Sequence, residues 1–171
     1  MQTARIQIHR QHRRVELSES RIRRIVSAVV STERRSVPGS VSIVFVGDDA
    51  IRDLNRRFLG KDRPTDVIAF PLGGPRGPWG EIYVGVERIR CQAKEYGVSP
   101  EQEIARCIVH GVLHLFGYTD GNPRKRSEMR KKEDQILVAA GWMQKGGKTR
   151  RAGKKNIEEK SRKSKKKVLF L

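Results

Sequence analysis

Ile6 and Ile8 alternate with polar neighbours, the period-two pattern of an edge strand. Ile22, Ile25, Val26, Val29 and Val30 then recur at three- and four-residue steps, which predicts an amphipathic helix. Val41 to Val46 (VSIVFV) is an apolar run of strand length. Asp48 follows it as an expected N-cap for a helix bearing Ile51, Leu54 and Phe58. Val67 to Phe70 and Ile82 to Val84 predict two more short strands, and PLGGPRGPWG between them reads as a loop. Ser99, Pro100 and Gln102 have the order of an N-cap, a first helical residue and a capping-box partner, so a helix is expected to start there and run through IARCIVHGVLHLF. Gly117 is placed to end it in a left-handed conformation. A last helix is expected around Met129, Ile136, Leu137 and Ala140, closing near Trp142.

This succession of elements fills one domain. Residues 1–143 are read as that domain and residues 144–171 as a disordered Lys-rich basic tail, because the latter lack apolar periodicity and cannot bury enough surface to offset their ordering entropy. No run approaches the roughly 20 apolar residues of a membrane span. MQTARIQIHRQHRR carries positive charge with no apolar stretch behind it, which predicts no secretory signal and a cytoplasmic protein. In that compartment a disulfide between Cys91 and Cys107 would be unusual, and both are read as small core residues.

Charge changes the picture. The chain carries a formal net charge of +18. Residues 144–171 contribute 12 Lys or Arg against Glu158 and Glu159, a net +10, leaving +8 on the body. Both parts therefore call for a polyanionic partner, and RNA is the natural candidate.

The candidate chemistry lies in the helix after Ser99. His110 and His114 stand one turn apart on one face, where two imidazoles can chelate one ion. The competing reading is a pair of core histidines satisfied by hydrogen bonds. Asp120, three residues beyond Gly117, is the candidate third ligand, with an Asx turn as the alternative and Asp66 and Glu81 as other candidate acids. Three protein ligands and one open position form the catalytic arrangement of zinc. Gly111 stands where zinc peptidases place their glutamate base (HGxxH in place of HExxH), so peptide hydrolysis by that route is disfavoured.

HGVLHLFGYTD resembles the HGxLHLxGYDH signature of the YbeY family of bacterial rRNA-maturation endoribonucleases. VSIVFVGDDAIRDLNRRFLGKDRPTDVIAFPL and GEIYVGVERIRCQAKEYGVSPEQEIARCIVHG resemble upstream blocks of the same family. The resemblance spans roughly residues 40 to 120. It implies an α+β fold in which a single domain has a small mixed sheet packed by helices, with a zincin-like metal-site helix. It also implies one zinc ion on the signature histidines and cleavage of single-stranded RNA, notably at the 3′ end of the 16S rRNA of the small subunit. By position, His110 and His114 match the first two ligands. Asp120 falls where the family usually carries a third histidine, and an oxygen donor there leaves iron and manganese open beside zinc. The implied partners are rRNA and the small ribosomal subunit, with a ribosomal protein or an assembly GTPase beside them and no membrane.

A second departure is Leu59, where the family commonly carries an arginine thought to assist cleavage. Arg56, Arg57, Lys61 and Arg63 are the neighbouring candidates to hold RNA phosphate, with a solvated basic face as the alternative. Thr65 and Asp66 match a block that lines the family's cleft, against a simple turn leading into a strand. Cys107 is expected to be core, His9 and His12 to be surface residues, and Trp79 and Tyr83 to pack in the core in preference to stacking on a base. Three functions are open: a metal-dependent endoribonuclease, a non-catalytic ribosome-assembly factor whose metal is structural, and, as the weakest, a hydrolase of some small substrate.

Overall fold

The structure is a computed structural model that describes residues 5–73, 78–143 and 167–168. The elements run β1 (Arg5–Arg10), α1 (Glu19–Glu33), β2 (Ser40–Val46), α2 (Asp48–Leu59), β3 (Val67–Pro71), β4 (Pro78–Gly85), α3 (Val86–Tyr96), α4 (Pro100–Leu115), α5 (Pro123–Ala139) and β5 (Lys167–Val168). They form one α+β domain around a mixed sheet of order β1-β2-β4-β3-β5. β1 pairs parallel with β2, β2 parallel with β4, β4 antiparallel with β3, and β3 parallel with β5.

Strand alternation sorts the core into two layers. Ile6, Val41, Ile43, Phe45, Val67, Ala69, Ile82 and Val84 join the buried residues of α1, α3, α4 and α5 in the main cluster. Val44, Val46, Ile68 and Phe70 face the other way and meet Ile51 of α2, with Leu54, Leu59 and Tyr83 packed against them. α4 lies very close to the sheet because two glycines permit it. A Cβ on Gly80 would sit 2.4 Å from Leu115 Cδ2, and one on Gly111 would sit 2.7 Å from Ile82 Cγ2. Sheet and helices together bury α4 continuously from Glu103 to Leu115.

Most expected elements are found, with four differences. Gly47, not Asp48, is the N-cap of α2, and the Asp48 amide is satisfied across space by Glu87 Oε2 at 2.6 Å. Helix α3 was not expected from the pattern, since its buried stripe of Val86, Ile89, Gln92 and Ala93 mixes apolar and polar positions. β4 begins at Pro78, so PLGGPRGPWG is shorter as a loop than its composition indicates; residues 74–77 lie outside the described residues. Most of the tail lies outside them too. Lys167–Val168, assigned by composition to that disordered tail, instead pairs with Ile68 and Ala69 of β3, whose outer edge offers unpaired backbone groups. Among the described residues no helix is long and apolar enough to cross a membrane.

Candidate metal centre

Ser99 accepts a hydrogen bond from the Gln102 amide at 3.1 Å and Pro100 fills the first turn, which starts α4 in the register that brings two histidines onto one face. Gln102 does not complete the reciprocal capping box, because its side-chain amide reaches the Trp142 carbonyl. At the other end Gly117 adopts φ +93°, Gly117 N–H donates to the His114 carbonyl and Tyr118 N–H to that of Leu113. The chain then turns back, and Asn122 caps α5 by accepting from the Lys125 amide at 2.9 Å. Asp120 lies in this turn between two capped helices.

His110 and His114 are 3% and 2% exposed, and their ring centroids are 4.4 Å apart. Each ring is held from behind at Nδ1. His114 Nδ1 lies 2.7 Å from the Tyr118 carbonyl oxygen, which can only accept, so that nitrogen carries a proton. His110 Nδ1 lies 2.6 Å from Glu133 Oε1, while Glu133 Oε2 accepts from Arg106 Nη1 at 3.0 Å. A carboxylate paired in this way is an acceptor, and His110 Nδ1 donates to it. In the neutral rings both Nε2 atoms therefore present lone pairs, and these atoms face one another at 2.7 Å. That separation suits either a shared proton or two donors converging on one cation.

Asp120 supplies a third donor. One ligand atom from each of His110, His114 and Asp120 lies within 4.8 Å of the others, the one such group among the described residues. Two imidazole nitrogens and one carboxylate oxygen fit a divalent metal ion, with zinc, iron and manganese all compatible with that donor set. Asp66 and Glu81 are not in the group. The turn carrying Asp120 is tied to α1 and α5: the Tyr118 hydroxyl donates to Glu33 Oε2 at 2.9 Å, and Lys132 Nζ lies 2.9 Å from Glu33 Oε1. Burial, then the Glu33 contact, pushes the Tyr118 hydroxyl above its ordinary pKa, and the Glu33 hydrogen bond holds the Lys132 ammonium above its own.

The other candidates lie elsewhere. α2 covers the opposite face of the sheet from α4, and there Arg56 Nη2 and Arg57 Nη1 pair with Asp53 at 2.6 and 3.3 Å. The Arg56 hydrogen bond leads in holding the Asp53 carboxyl below its usual range. The Lys61 amide donates to the Asn55 carbonyl, and the Arg63 carbonyl accepts from the Asn55 side chain. Leu59 packs against the α2-side cluster. Thr65 and Asp66 are buried, with Asp66 Oδ1 accepting from the Val67 amide and the Thr65 hydroxyl, a local cap where β3 begins. Trp79 is buried edge-on against Phe116, and Tyr83 donates to Glu81. Cys107 is buried as expected, whereas Cys91 is exposed on α3 and is not the core residue expected, and neither forms a disulfide. His9 is exposed, and His12 lies beside Glu87 at the surface.

Glu133 and Arg106 are the residues of this site that reading along the chain missed. Both carried a signal: Glu133 occupies the apolar stripe of α5 between Met129 and Ile136, and Arg106 sits within the buried run IARCIV.

Residues 6–141 match the family described as Endoribonuclease YbeY. A protein of that name from Chlorobium phaeovibrioides is 37% identical over 136 residues, covering 80% of this chain and 90% of its own. Another, from Carboxydothermus hydrogenoformans, is 41% identical over 122 residues, covering 70% and 84%. A Thermotoga maritima protein with a known solution structure superposes with a TM-score of 0.59 at 31% identity, covering 79% of this chain and 88% of its own.

Proposed function

The chain belongs to the YbeY family, and from that premise we propose that it is a metal-dependent endoribonuclease that cuts single-stranded rRNA, notably in maturing the 3′ end of the small-subunit 16S RNA. The observation that carries the reading is the pair of Nε2 atoms of His110 and His114 converging at 2.7 Å beside Asp120. We propose zinc as the ion, held by these three residues. When bound, such an ion polarises a phosphoryl oxygen and acidifies a water, which is what phosphodiester scission at neutral pH requires.

The chain's own residues prepare that chemistry. The Tyr118 carbonyl and the Glu133 carboxylate hold the two imidazoles so that their Nε2 atoms converge. The carboxylate of Asp120 adds negative charge to two neutral donors, matching a divalent cation. The surrounding α4 core excludes water from the ligand side. Basic residues, with Arg56, Arg57, Lys61 and Arg63 as the proposed set near α2, hold phosphate with little sequence information. The proposed setting is the cytoplasm, with rRNA of the small subunit as partner and a ribosomal protein or assembly GTPase beside it.

The decisive experiment uses purified full-length protein and a single-stranded rRNA fragment. His114→Ala is expected to abolish cleavage while leaving RNA binding intact; cleavage at the wild-type rate refutes the metal mechanism.

A second reading, a ribosome-assembly factor with a structural metal, is favoured by Leu59, which spends its side chain on the α2-side core where the family commonly carries an arginine. Metal content measured against turnover separates the two. Bound metal without cleavage above a contaminating-nuclease control selects the assembly factor.

A further inference from the structure

Glu133 is 3% exposed and stands on the face of α5 that otherwise buries Met129, Ile136 and Leu137. Burying a carboxylate there is costly unless charge and hydrogen bonds compensate it, and an apolar residue of similar size is often as good or better for folding alone. The compensation is built from two helices. Arg106 of α4 donates to Glu133 Oε2 at 3.0 Å and is itself held by Asp134, 2.8 Å from Nη2, and by Met143 Sδ at 3.4 Å. The remaining oxygen, Oε1, is left for His110 Nδ1 at 2.6 Å. Half-buried Asp134 and the buried Arg106, Glu133 and His110 thus form one line of ion pairs and hydrogen bonds that ends on a ligand ring.

We infer that Glu133 is a positioning residue for the metal centre, fixing His110 in the Nδ1–H tautomer with Nε2 aimed at the ion, and that Arg106 holds Glu133 in place for this task. This rests on the reading of His110 as a metal ligand. A neutral imidazole puts its proton on either nitrogen, and the Nε2–H form cannot ligate from this position. An anionic acceptor at Nδ1 removes that choice, stops the ring turning and makes Nε2 the better donor. His114 Nδ1 faces the neutral Tyr118 carbonyl, whereas His110 Nδ1 faces a carboxylate.

The test measures zinc affinity by chelator competition on folded full-length protein, together with the ring-nitrogen proton of His110 by nitrogen-15 NMR. Glu133→Gln is expected to weaken zinc binding by about 10- to 100-fold. The same substitution in a His110→Ala background is expected to leave the residual affinity unchanged, a coupling that a merely structural role would not produce. Wild-type protein stripped of metal is expected to show His110 protonated at Nδ1, a result that needs no variant to fold. Wild-type zinc affinity in Glu133→Gln, an equal loss in the His110→Ala background, or an Nε2–H tautomer in the stripped protein overturns the proposal. Failure of the wild-type protein to bind zinc is a different result, since it removes the metal centre itself.

Discussion

Gly111 of α4 and Ile82 of β4 touch so closely that a Cβ on the glycine would lie 2.7 Å from Ile82 Cγ2 and 3.2 Å from Cδ1. Real Cβ contacts do not reach that distance, so a side chain here forces either Ile82 or the helix to shift. Along the chain Gly111 reads as a missing glutamate base. In the fold it is the residue that lets the helix carrying both histidines lie against β4, and the position has no room for the glutamate of a zinc peptidase.

Gly111→Ala is therefore expected to destabilise the protein by about 1 to 3 kcal/mol, the usual cost of overpacking a tight core. Urea denaturation at neutral pH checks this, and a midpoint equal to wild type would show that Ile82 yields without cost.

Metal removal should lower stability through mass action. Stripping with a chelator is expected to reduce Tm, and zinc at a hundred times its Kd should restore about 2.7 kcal/mol. His110→Ala should show no zinc-dependent rise in Tm. A variant lacking His110 that still gains stability with zinc would place the ion elsewhere.

Burial, then the nearby carboxylate of Glu87, raises the Asp48 carboxyl above its ordinary 3.8. A folded-state value above the unfolded one means that the favourable contribution is fully present below pH 3.8 and is lost as pH rises through the folded value. At neutral pH the ionised group thus weakens the fold. Asp48→Asn, which mimics the protonated acid, is expected to melt above wild type at pH 7, with the difference shrinking as pH falls toward 3.8. A difference that stays constant across that range would mean that the charge is not responsible.

Replacing the 12 Lys and Arg of residues 144–171 by Gln in the full chain should weaken binding to single-stranded RNA and flatten its salt dependence. Each lost phosphate contact is expected to reduce the slope of log K against log salt by about 0.7. Zinc content should be unchanged. An unaltered slope would show that the body alone meets the RNA.

Local pattern carried most of the fold. The stripe of Ile22, Ile25, Val26, Val29 and Val30 is α1, the run VSIVFV is β2, and Ser99 starts α4, because in each case the signal lies within a few residues of what it directs. α3 escaped notice because Gln92 interrupts its buried stripe, and the N-cap of α2 was misplaced by one residue because Glu87, 39 positions away, satisfies the Asp48 amide. The site divides the same way. The four-residue spacing of His110 and His114 was visible, whereas the acceptors behind them were not, since Glu133 belongs to another helix and the Tyr118 carbonyl points back only once Gly117 has turned the chain.

The sequence by itself determined that two imidazoles share one helical face, that an acid follows the helix, and that the chain is strongly basic, since periodicity, order and charge are properties of neighbouring residues. Only the tertiary structure decided which nitrogen of each ring faces the other, which carboxylate stands behind His110, and that Arg56 and Arg57 lie across the sheet paired with Asp53. Those outcomes depend on packing between distant segments, which brings Arg106 against Glu133 and α4 against β4, and no local rule encodes such distances.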